Sequence, residues 1–110
     1  MGHTTLLSGL EATVARVLRK ETYTMPEISR FFGIIIAMFY DEHNPPHFHA
    51  RYGDAQVAIE IASLRVLEGR LPPRALGLVM EWASQHQEAL MRDWQLARND
   101  KPPEKIAPLN

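Results

Sequence analysis

The dipeptide Gly53-Asp54 constrains the fold most strongly, because it joins two segments of alternating polarity. A two-residue turn that begins with glycine is typical of a type II′ β-hairpin. We therefore predict antiparallel strands over residues 47–52 and 55–61, in a register in which His47 faces Glu60. Side chains alternate across a sheet, so this register separates the apolar residues from the polar ones. The apolar face carries Phe48, Ala50, Tyr52, Val57, Ile59 and Ile61. The polar face carries His47, His49, Arg51, Gln56, Ala58 and Glu60.

The remaining segments predict an α+β fold. Residues 34–40 are rich in β-branched and aromatic side chains, which predicts another strand, and residues 64–67 could form a fourth. Pro72-Pro73 suits the first turn of a helix. An apolar stripe then predicts one long helix from about residue 74 to 98. We expect an antiparallel sheet of three or four strands, covered on its apolar face by this long C-terminal helix.

The first 24 residues form an N-terminal extension with two interpretations. Apolar side chains recur at helical spacing between residues 4 and 20, which predicts a short helix that could cover part of the other sheet face. Alternatively, Met25 could be an internal start codon, with residues 1–24 a variable extension or a gene-start error. Residues 25–110 are expected to form a single domain, as suits a chain of this length.

Composition excludes several classes of function. The chain has no cysteine, which rules out disulfides, thiolate metal sites and a cysteine nucleophile. A formal net charge of -1 creates no overall attraction for nucleic acid or an anionic membrane. The sequence shows neither an apolar run long enough to span a bilayer nor a secretory signal. The absence of cysteine fits a reducing cytoplasm.

A polar cluster is expected where the loop over residues 41–46 meets the strand that begins at His47. His47 and His49 lie two residues apart on one strand face, with Cα atoms about 6.6 Å apart. That spacing lets both imidazoles bind one metal ion, and Glu60 lies opposite the first of them. His43 could supply a further ligand from the loop.

Asp41 and Glu42, which precede His43 in the loop, are equivalent candidates for the loop ligand. The candidate metal set is therefore His43, His47, His49 and Glu60, with zinc or manganese as the ion.

Two other interpretations of the cluster remain open. Arg51 shares the face of both histidines, so the three side chains could hold a phosphate of nucleic acid. Alternatively, His47 could simply pair with Glu60 across the strands, a contact that contributes about 0.2–1 kcal/mol.

Several segments resemble the small bacterial family called domain of unknown function 4160. The most specific is the His-x-Pro-Pro-His-x-His run over residues 43–49, and the resemblance extends from residue 25 to residue 109. It implies a cytoplasmic bacterial protein. It also implies a gene that often lies beside another small domain of unknown function, in arrangements suggestive of toxin–antitoxin pairs. The family offers no established catalytic residues to carry over.

The leading functional hypothesis is a small interaction protein, one component of a toxin–antitoxin-like pair. It would contact a protein encoded by a neighbouring gene, or RNA, through its His/Arg sheet face or a sheet edge. The alternative is a metal-dependent hydrolase or nuclease that uses the His-x-Pro-Pro-His-x-His cluster. In such an enzyme the metal lowers the pKa of a bound water to make the nucleophile.

Overall fold

A five-stranded antiparallel sheet forms the centre of the computed structural model, which describes residues 26–40 and 42–110. Its strands lie in sequence order, β1 (Glu27–Phe31), β2 (Ile34–Ala37), β3 (His47–Tyr52), β4 (Ala55–Glu60) and β5 (Val66–Gly69). Two helices follow, α1 (Pro73–Ser84) and α2 (Gln87–Arg98). The predicted α+β class is confirmed. Neither helix has the length and apolarity needed to cross a membrane. The predicted N-terminal helix lies outside the described residues.

The hairpin register predicted from Gly53-Asp54 is confirmed along the whole of β3 and β4. His47 pairs with Glu60, and the pairing continues without a shift as far as Tyr52 and Ala55. Gly53 has a φ of 58°, the left-handed conformation that the first position of a type II′ turn requires. The turn therefore determines which side chains share each face of the sheet.

The predicted count of three or four strands was wrong, because β1 precedes the strands recognised in the sequence. Phe31 pairs with Ile34, so only Phe32 and Gly33 separate β1 from β2. Both turn residues have positive φ, 51° and 81°. Such turns usually contain asparagine, aspartate or glycine. Because phenylalanine occupies the first position, the sequence did not indicate a turn here.

The prediction of a single helix over residues 74–98 was also wrong, because the helix is interrupted between α1 and α2. The backbone N–H groups of Gln85 and His86 bond to carbonyls three residues earlier, which tightens the end of α1. The side chain of Gln87 then donates to the carbonyl of Ile61 at 2.7 Å. A polar contact with the turn after β4 therefore accompanies the break, and no glycine or proline marks it in the sequence.

Trp82 of α1 occupies the centre of the core between the sheet and the C-terminal tail. It is fully buried, and its ring lies 5.5 Å from Phe31 and 6.0 Å from Phe48 between centroids. Its indole N–H donates to the carbonyl of Ala107 at 2.8 Å. The tail also lies along β1, where the N–H of Ile106 donates to Ile28. The tail therefore covers part of the β1 edge of the sheet, which is one of its two edges.

Asp93 of α2 anchors the start of this tail from a buried position. It is only 2% exposed, and its Oδ1 accepts the backbone N–H of Glu104 at 2.8 Å. Its Oδ2 is buried without a hydrogen-bond partner. Burial raises the pKa of the Asp93 carboxyl, with a smaller contribution from the Glu104 carboxylate, and the backbone hydrogen bond opposes the rise.

Replacing Asp93 with asparagine should therefore change how stability depends on pH. Asparagine keeps an acceptor for the Glu104 N–H and removes the buried charge. Since the folded-state pKa of Asp93 is raised, its stabilising contribution is complete below the unfolded pKa and is lost as pH rises through the folded pKa. We expect the free energy of unfolding of D93N, relative to the unmodified protein, to increase as the pH rises above the unfolded pKa of aspartate, about 3.9. Urea denaturation at each pH measures this difference, and a difference independent of pH would contradict the expectation.

Candidate metal centre

Three side chains converge where the loop over residues 42–46 enters β3. One nitrogen each from His47 and His49 and one carboxylate oxygen from Glu42 lie within 4.8 Å of one another. Glu42 Oε1 is 3.1 Å from His47 Nε2 and 3.8 Å from His49 Nε2. The two imidazole centroids are 5.1 Å apart. Strand alternation brings the histidines to one side, and the loop supplies the carboxylate.

The loop that carries Glu42 is attached to two other parts of the fold. The carbonyl of Pro46 accepts the backbone N–H of Ile61 at 3.0 Å, just beyond the end of β4. The side chain of Arg98, at the end of α2, donates to Asn44 Oδ1 at 3.3 Å. These contacts determine the path of the loop and so the position of the carboxylate.

The second ring nitrogen of His47 orients the ring. His47 Nδ1 lies 2.7 Å from the carbonyl oxygen of Pro45. A carbonyl can only accept, so Nδ1 carries a proton and donates it, which leaves Nε2 as the atom directed at Glu42. Metal-binding histidines are commonly oriented in this way, with one ring N–H donated to a carbonyl.

A proton on His47 Nε2, shared with the Glu42 carboxylate, can occupy the place that a metal ion would take. The hydrogen bond to the Glu42 carboxylate raises the pKa of His47, burial opposes the rise, and the Pro45 carbonyl adds to it. The protonated form of His47 thus makes an ion pair with Glu42. Protons and metal ions would compete for this site, since a metal binds the neutral imidazole.

His49 Nε2 is the polar atom of the cluster that this ion pair does not satisfy. It is buried and makes no hydrogen bond. Its ring is held by stacking on Phe39, with centroids 4.1 Å apart and an interplanar angle of 26°. Leaving a buried polar group unpaired costs about 1–3 kcal/mol. A metal ion beside Glu42 would give this nitrogen a partner.

The ligand spacing fits a tetrahedral ion. Zinc lies about 2.0–2.2 Å from imidazole nitrogen and carboxylate oxygen. In a tetrahedron with bonds of that length, neighbouring ligand atoms are about 3.3–3.6 Å apart. The two nitrogen-to-oxygen distances of 3.1 and 3.8 Å lie on either side of that value. All three ligand atoms lie within 4.8 Å of one another, so an ion would bind by drawing them closer to this spacing.

The other residues of the predicted cluster lie around this group of three. Glu60 faces His47 in the register, but its carboxylate accepts the hydroxyl of Ser63 at 2.6 Å and lies 3.4 Å from Arg65. His43 is exposed, and Arg51 is partly exposed. Neither they nor Glu60 belong to the three-residue group. Of the described loop candidates, Glu42 reaches the histidines and His43 does not. Asp41 lies outside the described residues.

A family model matches residues 33–95, which is more than half of the chain. Its description is domain of unknown function (DUF4160). The matched segment contains all three residues of the cluster. No curated protein and no solved structure matches the chain.

Proposed function

Because the chain belongs to the family described as domain of unknown function DUF4160, whose description states no activity, we propose a function from the geometry of its own residues. Glu42, His47 and His49 bind one divalent metal ion. The ion connects the loop over residues 42–46 to β3. Its binding stabilises this end of the sheet, since a ligand that binds only the folded state stabilises that state.

The observation that carries this proposal is the buried Nε2 of His49. It has no hydrogen-bond partner and lies 3.8 Å from a carboxylate oxygen, on the same side as His47 Nε2. Two neutral imidazoles and one carboxylate form a donor set that zinc accepts readily. Manganese favours oxygen ligands. The donor set therefore selects zinc over manganese.

Burial favours a stabilising metal over a hydrolytic one. The side chains of His47, His49 and Glu42 are 8%, 20% and 17% exposed, respectively. A hydrolase or nuclease needs an open ligand position where a metal-bound water meets its substrate. His49 Nε2 itself has almost no accessible surface. Three protein ligands leave the fourth position of a tetrahedral zinc ion to a water molecule. Because the three side chains are largely buried, we propose that the ion stabilises the fold and does not hydrolyse a substrate.

Two matched substitutions test which carboxylate binds the ion. Replacing Glu42 with glutamine should weaken zinc binding at least tenfold, about 1.4 kcal/mol, because the amide cannot supply an anionic oxygen. Replacing Glu60 with glutamine should change the affinity less than about twofold, because its carboxylate bonds to Ser63 instead. Competition with a chromogenic zinc chelator, on metal-stripped protein, measures both dissociation constants.

The same pair of variants can overturn the proposal. If E60Q weakens binding and E42Q does not, the carboxylate ligand is Glu60. If neither changes the affinity, zinc binds elsewhere on the chain. Circular dichroism of each variant establishes that a loss of binding does not reflect unfolding.

A further inference from the structure

A second candidate site lies at the opposite end of the sheet from the metal cluster. Ile34 pairs with Tyr52 at that end, whereas Ala37 pairs with His49 at the cluster end. A cavity of about 370 Å³ opens there, between the hairpin turns and the start of α1. Its walls combine the ends of three segments that are distant in sequence.

The sheet side of this cavity presents aromatic surface that the fold does not bury. Phe32 is 60% exposed and Tyr52 is 43% exposed, and they are two of the three exposed large hydrophobic residues in the described part of the chain. Both line the cavity. Exposed apolar surface around a concavity is a common feature of ligand-binding sites.

The backbone at Phe32 adds a second indication. Its φ of 51° is left-handed, which costs a residue other than glycine about 1–2 kcal/mol. The next residue, Gly33, leaves room for the Tyr52 ring, because a Cβ there would lie 3.3 Å from Tyr52 Cε1. The turn thus keeps both rings at the rim of the cavity, although Phe32 gains little burial in return. Strain of this kind is concentrated at functional sites.

The helix side of the cavity carries a positive charge. Arg74, in the first turn of α1, lines the cavity beside Ala75 and Leu78. Within residues 26–40 and 42–110, no hydrogen bond or salt bridge to its guanidinium is formed. The first turn of α1 has no acidic residue, and no side chain caps it. The guanidinium is therefore free to pair with an anion bound against the apolar wall.

We infer that this cavity binds a small amphiphilic carboxylate. The apolar part lies against Phe32, Tyr52 and Leu78, and the carboxylate pairs with Arg74. A cavity of about 150 Å³ holds one benzene ring. A volume of about 370 Å³ therefore accommodates a bicyclic aromatic group or a medium-length alkyl chain. This site is independent of the metal cluster.

Two probes of equal chain length test this inference on the full chain. Decanoate and decanol share the alkyl chain, and only decanoate carries the charge. In a two-dimensional NMR titration, decanoate should shift the amide signals of Phe32, Tyr52 and Leu78 with a saturable dissociation constant below about 1 mM. Decanol should bind more weakly at the same signals. Absence of saturable shifts with decanoate, or shifts confined to other parts of the chain, would overturn the inference.

A charge-removing substitution separates ion pairing from general apolar binding. Replacing Arg74 with glutamine should weaken decanoate binding about tenfold or more and leave decanol binding within about twofold. Replacing Arg92 with glutamine is the matched control, since Arg92 lies exposed on α2 and does not line the cavity. Equal losses for both probes in R74Q, unchanged decanoate affinity in R74Q, or an equal effect of R92Q would contradict the role of Arg74.

Discussion

Replacing His49 with alanine is expected to lower zinc affinity at least about a hundredfold while the protein stays folded. His49 Nε2 faces the Glu42 carboxylate and has no other partner, so its loss removes one of three ligands. Even mutation of a residue that only orients a metal ligand costs 10–100-fold in affinity. Loss of a direct ligand should cost at least as much. Chelator competition on metal-stripped protein measures the change.

His43 provides a matched control for this substitution. It belongs to the same His-x-Pro-Pro-His-x-His run, but its side chain is exposed and outside the three-residue group. H43A should keep the affinity of the unmodified protein within about twofold. Zinc binding that survives in H49A, or that falls equally in H43A, would contradict the proposed ligand set.

The largest expected loss of stability follows replacement of Trp82 with alanine. The side chain is fully buried against Phe31 and Phe48, and its indole N–H donates a hydrogen bond to the carbonyl of Ala107. Truncation of a buried tryptophan to alanine costs about 3–5 kcal/mol. That is a large fraction of the total stability of a typical domain, about 5–15 kcal/mol. Urea denaturation should show the loss directly.

A milder variant separates the two contributions of Trp82. Phenylalanine keeps part of the apolar volume and removes the indole N–H, which leaves the Ala107 carbonyl without its donor. We expect W82F to lose clearly less stability than W82A. We also expect it to raise the amide hydrogen exchange rates in the tail around Ala107. A loss below about 1 kcal/mol in W82A would contradict the central place of this side chain in the core.

Local rules predicted the register of the β3–β4 hairpin, because a two-residue turn and strict alternation leave only one register. They failed at β1, where Phe32 occupies a left-handed turn position that phenylalanine rarely adopts. They failed again between α1 and α2, where the side chain of Gln87 donates to the carbonyl of Ile61, just beyond the end of β4. Both incorrect predictions arose where the sequence lacked the residue that usually marks a turn or a helix end.

The candidate metal centre was only partly predictable for the same reason. Alternation along β3 was enough to expect His47 and His49 on one side, and the structure brings their rings to 5.1 Å. The choice among loop carboxylates depends on the path of residues 42–46, which contacts of Pro46 and Arg98 determine. These contacts are distant in sequence, so no local pattern shows which carboxylate reaches the imidazoles.

The cavity at the other end of the sheet was not anticipated, since it forms only when α1 packs beside two hairpin ends. The predicted partner protein, contact with RNA and cytoplasmic location stay predictions.

A zinc titration of the metal-stripped full chain, followed by two-dimensional NMR of the histidine rings, tests the central claim most directly. The proposed site predicts saturation at one zinc per chain, with the ring signals of His47 and His49 shifting together. The signals of His43 and His86 should not move, because neither ring belongs to the three-residue group. Ring signals of His47 and His49 that stay unchanged in excess zinc would contradict the proposed metal centre.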